Sequence, residues 1–489
     1  MERDDIFMDQ KPRNVVLICS DQHNRHMAGC YGNPHVITPH MDALAAAGTR
    51  FDCAYTPNPI CVPARASMAT GCYSHTLHCW DNASPYCSPG QALSFGHQLH
   101  RAGIPVTTIG KLHYRSSEDD TGFPDQRIPL HVRDGVVDLF GTIREYGVVK
   151  PIMRQEIPKA HPGDSSYIHY DTQITKEALA FLEENREAEK PWCLYVGYTF
   201  PHLPLISPRE TWNLYDEASL PMPFAYHRGE RAEHESFRDI LDFGGLQEEY
   251  TGEEIRRAIH AYYGMCSFLD TQIVQLLGRP RDLGLDENTY VIYTSDHGEM
   301  MGNHGLWFKN CMLDDSSAIP LIPSGPDIPR GTVNRTNVSL VDIYPTVLDL
   351  MGVVPKNDGK DRQGLSLYEL CKSKEEKDCA VYSEFHASAS YTGGFMVRWR
   401  QYKYIDYVGY PPLLFDLDKD PLELYDHSTD HAYAGIGALL AEKLQAFGGP
   451  REIDASCRAD QAQRLERYGG KEYILHNFQP IIFSPPPQC

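Results

Sequence analysis

The chain has 489 residues, 42% of them hydrophobic, and 66 acidic against 45 basic residues give a formal charge of −21. That length allows a large core and two or three domains, or one large domain and a smaller one. The acidic balance disfavours nonspecific binding to nucleic acid or to an anionic membrane, while a few converging cations can still outweigh it inside a pocket.

The start, MERDDIFMDQKPRN, is polar and acidic and predicts no signal peptide. NVVLICSDQH then reads as a buried parallel strand with polar residues at its C-terminal end. TPHMDALAAAG predicts a helix with Thr38 as cap, Pro39 at the first position and Gly48 as stop. Further strands are expected at IPVTTIG (104–110), WCLYVGYT (192–199) and YVIYTSDHG (290–298). Helices are expected at QITKEALAFLEENRE, at EEIRRAIHAYYGMCSFLDTQIVQLLG and at DIYPTVLDLMGV (342–353). Strands alternating with helices predict an α/β fold, a large mostly parallel sheet sandwiched by helices. After PKNDGKDRQG the runs AVYSEF, GGFMVRW and QYKYIDYV are short, aromatic and alternating, as in antiparallel strands. The expected division is a catalytic α/β domain over 1–375 and a smaller α+β domain over 376–489. The last stretch, EYILHNFQPIIFSPPPQC, is apolar and is expected to pack on a neighbouring subunit or back over its own domain. A homodimer or homotetramer follows from the first option.

No apolar run exceeds strand length, so no membrane span is expected. The 14 cysteines include several in apolar strand or helix contexts, which suits a reduced cytoplasm better than a disulfide framework.

In an open α/β sheet, ligands bind outside the carboxyl ends of the strands. Asp21 and Gln22 follow the first strand, and Asp296 and His297 follow YVIYTS. Two carboxylates, an amide and an imidazole there suit calcium, magnesium or manganese. The plainer reading of either Asp is a turn or helix cap. Lys111 and His113 in GKLHY would face one side of an extended segment. His202 lies between Pro201 and Pro204, and Lys309 lies in the loop after Asp296. Cys61 and Arg65 sit in CVPARASMATG, where a helix start would favour an anion and lower a thiol pKa. A soft thiolate matches a hard metal poorly, so an oxygen nucleophile fits better there.

CVPARASMATG resembles the Cys-x-Pro-x-Arg signature of the type I sulfatases, in the alkaline-phosphatase-like superfamily. The resemblance extends in order through SDQHNRHMAGCYGN, TPHMDALAAAGTRFDCAY, GKLHY, FPHLPL, SDHGEMMGNHGLWFKN, DIYPTVLDLMG and LFDLDKDPLELYD. It implies a sulfuric ester hydrolase in which Cys61 is oxidised to formylglycine by a formylglycine-generating enzyme. Asp21, Gln22, Asp296, His297 and the modified Cys61 would hold one divalent ion, Ca2+ first, then Mn2+ or Mg2+. Arg65 would hold the formylglycine hydrate and the anion, and Lys111 and Lys309 would bind sulfate oxygens. His202 would hydrogen-bond the ester and help protonate the leaving oxygen together with Lys309. His113 would be the base that breaks the covalent adduct, and Asn82 would line the pocket.

Gln22 and His297 replace the Asp and Asn of many sulfatases, a pattern similar to choline sulfatases and phosphonate monoester hydrolases. A phosphonate monoester or phosphodiester hydrolase with the same centre is therefore the enzymatic alternative. The Lys111–His113 pair favours a sulfatase. A cysteine hydrolase and a non-catalytic ion-binding protein are the remaining alternatives. The expected substrate is a small alkyl or aryl sulfate ester, with Trp80, Tyr86, Trp307 and Phe308 either as an apolar rim or as core.

Overall fold

The computed structural model describes residues 13–150, 152–373, 375–387, 389–478 and 484–487. The reading of the first residues as leaderless lies outside them.

The apolar run NVVLICS forms β1 (Asn14–Ser20), buried along its whole length. Five more strands join it: β2 (Val106–Lys111), β3 (Asp125–Leu130), β4 (Cys193–Gly197), β5 (Thr289–Ser295) and β6 (Leu321–Ser324). Their order across the sheet is β6-β5-β1-β4-β2-β3. All neighbours run parallel except β6, which is antiparallel to β5. Alternation divides β1 between two cores. Val15, Leu17 and Cys19 face the layer that holds α2 (Cys61–Thr70) and α5 (Ile343–Leu350). Val16 and Ile18 face α3 (Ser166–Glu184) and α4 (Gly252–Asp282).

The register decides where the chemistry sits. Ser20 pairs with Ser295, and Cys19 pairs with Gly197. The C-terminal ends of β1, β5 and β4 are therefore level, and Asp21 and Asp296 leave neighbouring strands side by side.

α1 (Pro39–Ala47) begins with Pro39 as expected, but its cap differs from the expectation. Thr38 Oγ1 accepts from Gly29 N at 2.9 Å, and the open amides of His40 and Met41 donate to Asp270 of α4 at 3.2 and 2.8 Å. Helix α4 thus caps α1 from outside. Gly48 is extended at φ −139°. It is required for another reason: a Cβ there would lie 2.3 Å from Pro323 O. Helix α3 starts earlier than its periodicity predicts, because Ser165 caps it by accepting from Ile168 N at 3.3 Å.

A separate antiparallel sheet holds β7 (Ala380–Phe385), β8 (Gly394–Trp399), β9 (Tyr402–Tyr407) and β10 (Leu413–Asp416) in that order. Phe395, Val397 and Leu414 of this sheet pack on Leu440, Leu444 and Phe447 of α6 (Ala434–Phe447), with α7 (Pro450–Arg467) beyond. The short strand β10 was missed, since LLFD is too brief to show alternation. Every described cysteine is free. No described helix is long and apolar enough to cross a membrane.

Candidate active site

Helix α2 starts at Cys61, directly after an extended Ile60 at φ −153°. All ten of its residues are buried. Ala64, Ala66 and Ala69 belong to the same core as Val15, Leu17 and Cys19 of β1. Gly71 ends it at φ 69°, where a Cβ would also touch Tyr344 at 3.0 Å. Ile60 offers no side-chain cap, so the first turn needs an acceptor from elsewhere. Asn82 supplies it: its Oδ1 accepts from Val62 N at 3.2 Å.

Cys61 therefore stands on a fixed first turn at the carboxyl end of the sheet. Ligand atoms of Asp21, Cys61, Asp296 and His297 lie within 4.8 Å of one another, all buried. Cys61 Sγ is 3.2 Å from Lys309 Nζ, 3.2 Å from His297 Nε2 and 3.6 Å from Asp21 Oδ1. Gln22 sits beside them with a left-handed backbone, φ 66°. Its N–H donates to Asp296 Oδ1 at 3.1 Å, and its Oε1 accepts from Lys309 Nζ at 2.8 Å. Lys111 Nζ pairs with Asp21.

Burial and neighbouring charge set the protonation states. Burial opposes the Asp21 carboxylate, but Lys111, His202, Arg65 and Lys309 together hold it well below the usual range. Burial first, then Lys309, keeps His297 neutral, pushed down to about 4 despite Asp296 and Asp21. Burial opposes the Lys309 ammonium, yet Cys61, Asp21 and Asp296 outweigh it and raise its pKa. Burial, then Asp21, pushes the Cys61 thiol up to about 11. This reverses the expectation that the helix start lowers it. Two carboxylates, an amide oxygen and a neutral imidazole form an oxygen-rich donor set that fits a hard divalent ion.

Residues 13–353 match the sulfatase family, and residues 302–448 match the C-terminal region of N-sulphoglucosamine sulphohydrolase. The chain belongs to the sulfatase family. It is 30% identical to the choline-sulfatase of Rhizobium meliloti over 96% of this chain and 94% of that one. It is 30% identical to arylsulfatase K of Gallus gallus over 84% of this chain and 78% of that one. In fold it is similar to the phosphonate monoester hydrolase of Agrobacterium radiobacter, with a TM-score of 0.70 at 24% identity, covering 92% of this chain and 96% of that one. It is likewise similar to BT4656 in complex with D-glucosamine-2-N,6-O-disulfate, with a TM-score of 0.71 at 23% identity over 92% and 99%.

In this sulfatase Arg65 lies within the cluster, bonded to both carboxylates. Its five donors all go to protein oxygens. Nε donates to Asp296 at 2.8 Å, and Nη1 to Lys111 O at 2.9 Å and Tyr195 Oη at 2.7 Å. Nη2 donates to Ser20 O at 3.3 Å and Asp21 at 3.4 Å. The guanidinium is fully buried and holds three strand ends and two carboxylates in one geometry.

Cys61, Asn82, Lys111, His113, His202 and Lys309 line one cavity. His202 Nδ1 is 2.8 Å from Leu203 O, which places its proton on that nitrogen. Burial, then Lys309, keeps the ring neutral, so Nε2 is a bare acceptor. Burial, then Lys111, also keeps His113 neutral. Of Trp80, Tyr86, Trp307 and Phe308, Phe308 alone lines this cavity, together with Phe243. Trp80 and Tyr86 are fully buried core residues bonded to Asp460 and Ala92 O, and Trp307 packs edge-on against Tyr250.

Several residues of this sulfatase's site escaped the sequence reading. Asp171 of α3 accepts from Thr199 N at 2.9 Å, Thr199 Oγ1 at 2.8 Å and Phe200 N at 2.9 Å, so it anchors the loop that carries His202. Burial pushes Asp171 up to about 7, against those three donors. An unfolded Asp titrates near 4, so between roughly pH 4 and 7 the folded chain holds a proton the unfolded chain has lost. This residue's contribution to stability therefore falls as pH rises through that window. Asp171→Asn is expected to flatten that part of the melting-temperature profile and to cost about tenfold in kcat/KM through the loosened loop. An unchanged pH slope would rule out this account.

Asp138 and Lys150, an ion pair at 2.9 Å, also line the cavity. So does Ser484, whose Oγ lies 3.0 Å from His113 Nε2 and whose carbonyl accepts from Tyr167 at 2.8 Å. That part of the apolar tail thus sits on this chain's own active site and supplies no argument for a partner subunit. Residues 479–483, 488 and 489 of the tail lie outside the described residues. Only a contact 371 positions away in sequence reveals Ser484, and no local signal marks it.

Proposed function

We propose that this sulfatase hydrolyses a sulfate monoester of a small alcohol or phenol, with Cys61 matured to formylglycine and one divalent ion, Ca2+, held by Asp21, Gln22, Asp296 and His297. The observation that carries the reading is the convergence of Cys61, two lysines and two neutral histidines at one cavity, with two buried carboxylates clustered on Cys61. Relatives named choline-sulfatase and arylsulfatase K support a compact leaving group. So does the cavity, only ≈ 70 Å3, with apolar walls that include Ile60, Leu203, Phe243 and Phe308.

The formylglycine hydrate supplies an oxygen nucleophile, and the divalent ion supplies positive charge for the ester oxygens. The chain's own residues do the rest. Asn82 and the first turn of α2 aim position 61 into the cavity. Lys111 and Lys309 offset the charge of the sulfate. A neutral His202 with its proton on Nδ1 has none on Nε2 to give an ester oxygen. Lys309 is left as the cation that meets charge developing on the leaving oxygen, a sharper assignment than a role shared with His202. His113, neutral and with Nδ1 unpartnered among the described residues, is fit to act as a base.

A thiolate mechanism is disfavoured, because a thiol pushed up to about 11 stays protonated near neutral pH. The deciding experiment is the mass of the Cys61-containing peptide from protein made in its native host. The expected mass is that of an aldehyde or its hydrate, and an unmodified thiol would overturn the nucleophile. Matched aryl sulfate, phosphonate monoester and phosphodiester substrates then test the reaction. The sulfate is expected to show the highest kcat/KM, and a phosphodiester or phosphonate ahead of it would overturn the sulfate assignment.

A further inference from the structure

The side chain of Gln22 poses a problem of orientation. A primary amide has an acceptor end and a donor end of nearly equal shape, and its partners decide which faces where. Only the oxygen can serve a cation. Here Oε1 faces Lys309 Nζ at 2.8 Å, on the side of Cys61 and the two carboxylates. Nε2 points the other way and donates to Glu299 Oε2. Glu299 is itself fixed: its Oε1 accepts from Met301 N at 3.1 Å and from Phe308 N at 2.6 Å. Its backbone carbonyl accepts from Asn24 Nδ2 at 2.8 Å. With Oε1 committed to two backbone amides, Oε2 is the atom that faces the donor end of Gln22 and holds it away from the centre. By the same bonds it closes the loop that delivers Lys309.

We propose that Glu299 is a positioning residue that selects the oxygen-inward orientation of Gln22, and that positions 22 and 299 form an interdependent amide–carboxylate pair behind the cation site. The proposal rests on the divalent-ion reading given above. Outer partners that orient a ligand typically change metal affinity by about 10–100-fold when removed.

The logic of substitution is specific. In Glu299→Gln the new amide must keep its oxygen toward Met301 N and Phe308 N. Its NH2 then meets the NH2 of Gln22, which has to turn its own nitrogen toward Lys309 and the centre. The oxygen donor is lost. Adding Gln22→Glu removes the conflict, because a carboxylate accepts at both ends. Gln22→Glu alone sets two carboxylates against each other.

The test is a double-mutant cycle on the mature protein with two readouts, Ca2+ and Mn2+ affinity by titration calorimetry and the melting temperature without metal. Glu299→Gln is expected to weaken ion binding about 10–100-fold. The double variant is expected to recover it to within about threefold of the parent or better. Gln22→Glu alone is expected to lower the metal-free melting temperature, and the second substitution to restore it. Losses that add rather than cancel, or an unchanged ion affinity in Glu299→Gln, would overturn the pairing. If Glu299→Gln does not fold, Gln22→Glu and the double variant decide the matter by melting alone. A parent protein that binds neither ion sinks the divalent-ion reading, and the melting cycle still decides whether the two positions are paired.

Discussion

Arg65→Ala is expected to lose about 3–5 kcal/mol of stability and to be inactive. That is the range for breaking a buried ion pair by deleting one partner. The guanidinium is fully buried, and its removal leaves Asp21 and Asp296 facing each other with less compensation, while two backbone carbonyls and Tyr195 lose a partner. Arg65→Lys keeps the charge, but its three donors on a flexible stem cannot span the five acceptors. It is expected to recover part of the stability and little of the activity. Urea unfolding with and without divalent ion is the measurement. Added ion should restore part of the stability of Arg65→Ala, since it neutralises the same carboxylates. A fully active Arg65→Lys would show that charge alone matters at this position, and the clamping role would fall.

Cys61→Ala separates catalysis from stability in the opposite way. Loss of the nucleophile is expected to cost on the order of 10^4–10^6 in kcat. The fold should hardly notice, because the Sγ contacts are with Lys309, His297 and Asp21, which have other partners. The melting temperature of Cys61→Ala should therefore stay near that of the parent, in contrast to Arg65→Ala. Initial rates on an aryl sulfate and a melting curve on the same preparation test both halves. Substantial residual turnover would exclude position 61 as the nucleophile.

Some of this site was legible because its signals are local. Asp21 and Asp296 each follow an apolar run of strand length, and parallel strands place such residues at one sheet edge. Cys61 opens a helix because CVPARASMATG runs to a glycine stop. Lys111 and His113 do line one cavity, but not by the expected extended spacing, since the strand ends at Lys111 and His113 is left-handed at φ 58°. Other readings failed where a distant partner overrode the local one. Thr38 looks like a cap, yet Asp270 does that work from α4. Cys61 looks like an activated thiol beside a helix start, yet burial and Asp21 dominate. The aromatics near the motifs look like a rim, yet Trp80, Tyr86 and Trp307 fill the core because their bulk is worth more buried.

The sequence by itself determined the alternating α/β order, the small antiparallel unit after it, and the kinds of side chain available for chemistry, since each depends on periodicity or neighbours within a few residues. Only the tertiary structure decided the protonation states, the five bonds of Arg65, the orientation of Gln22 by Glu299, the anchoring of the His202 loop by Asp171 and the approach of Ser484 to His113. These depend on burial and on contacts across long chain separations, where electrostatics and hydrogen-bond geometry are set by groups that no local pattern brings together.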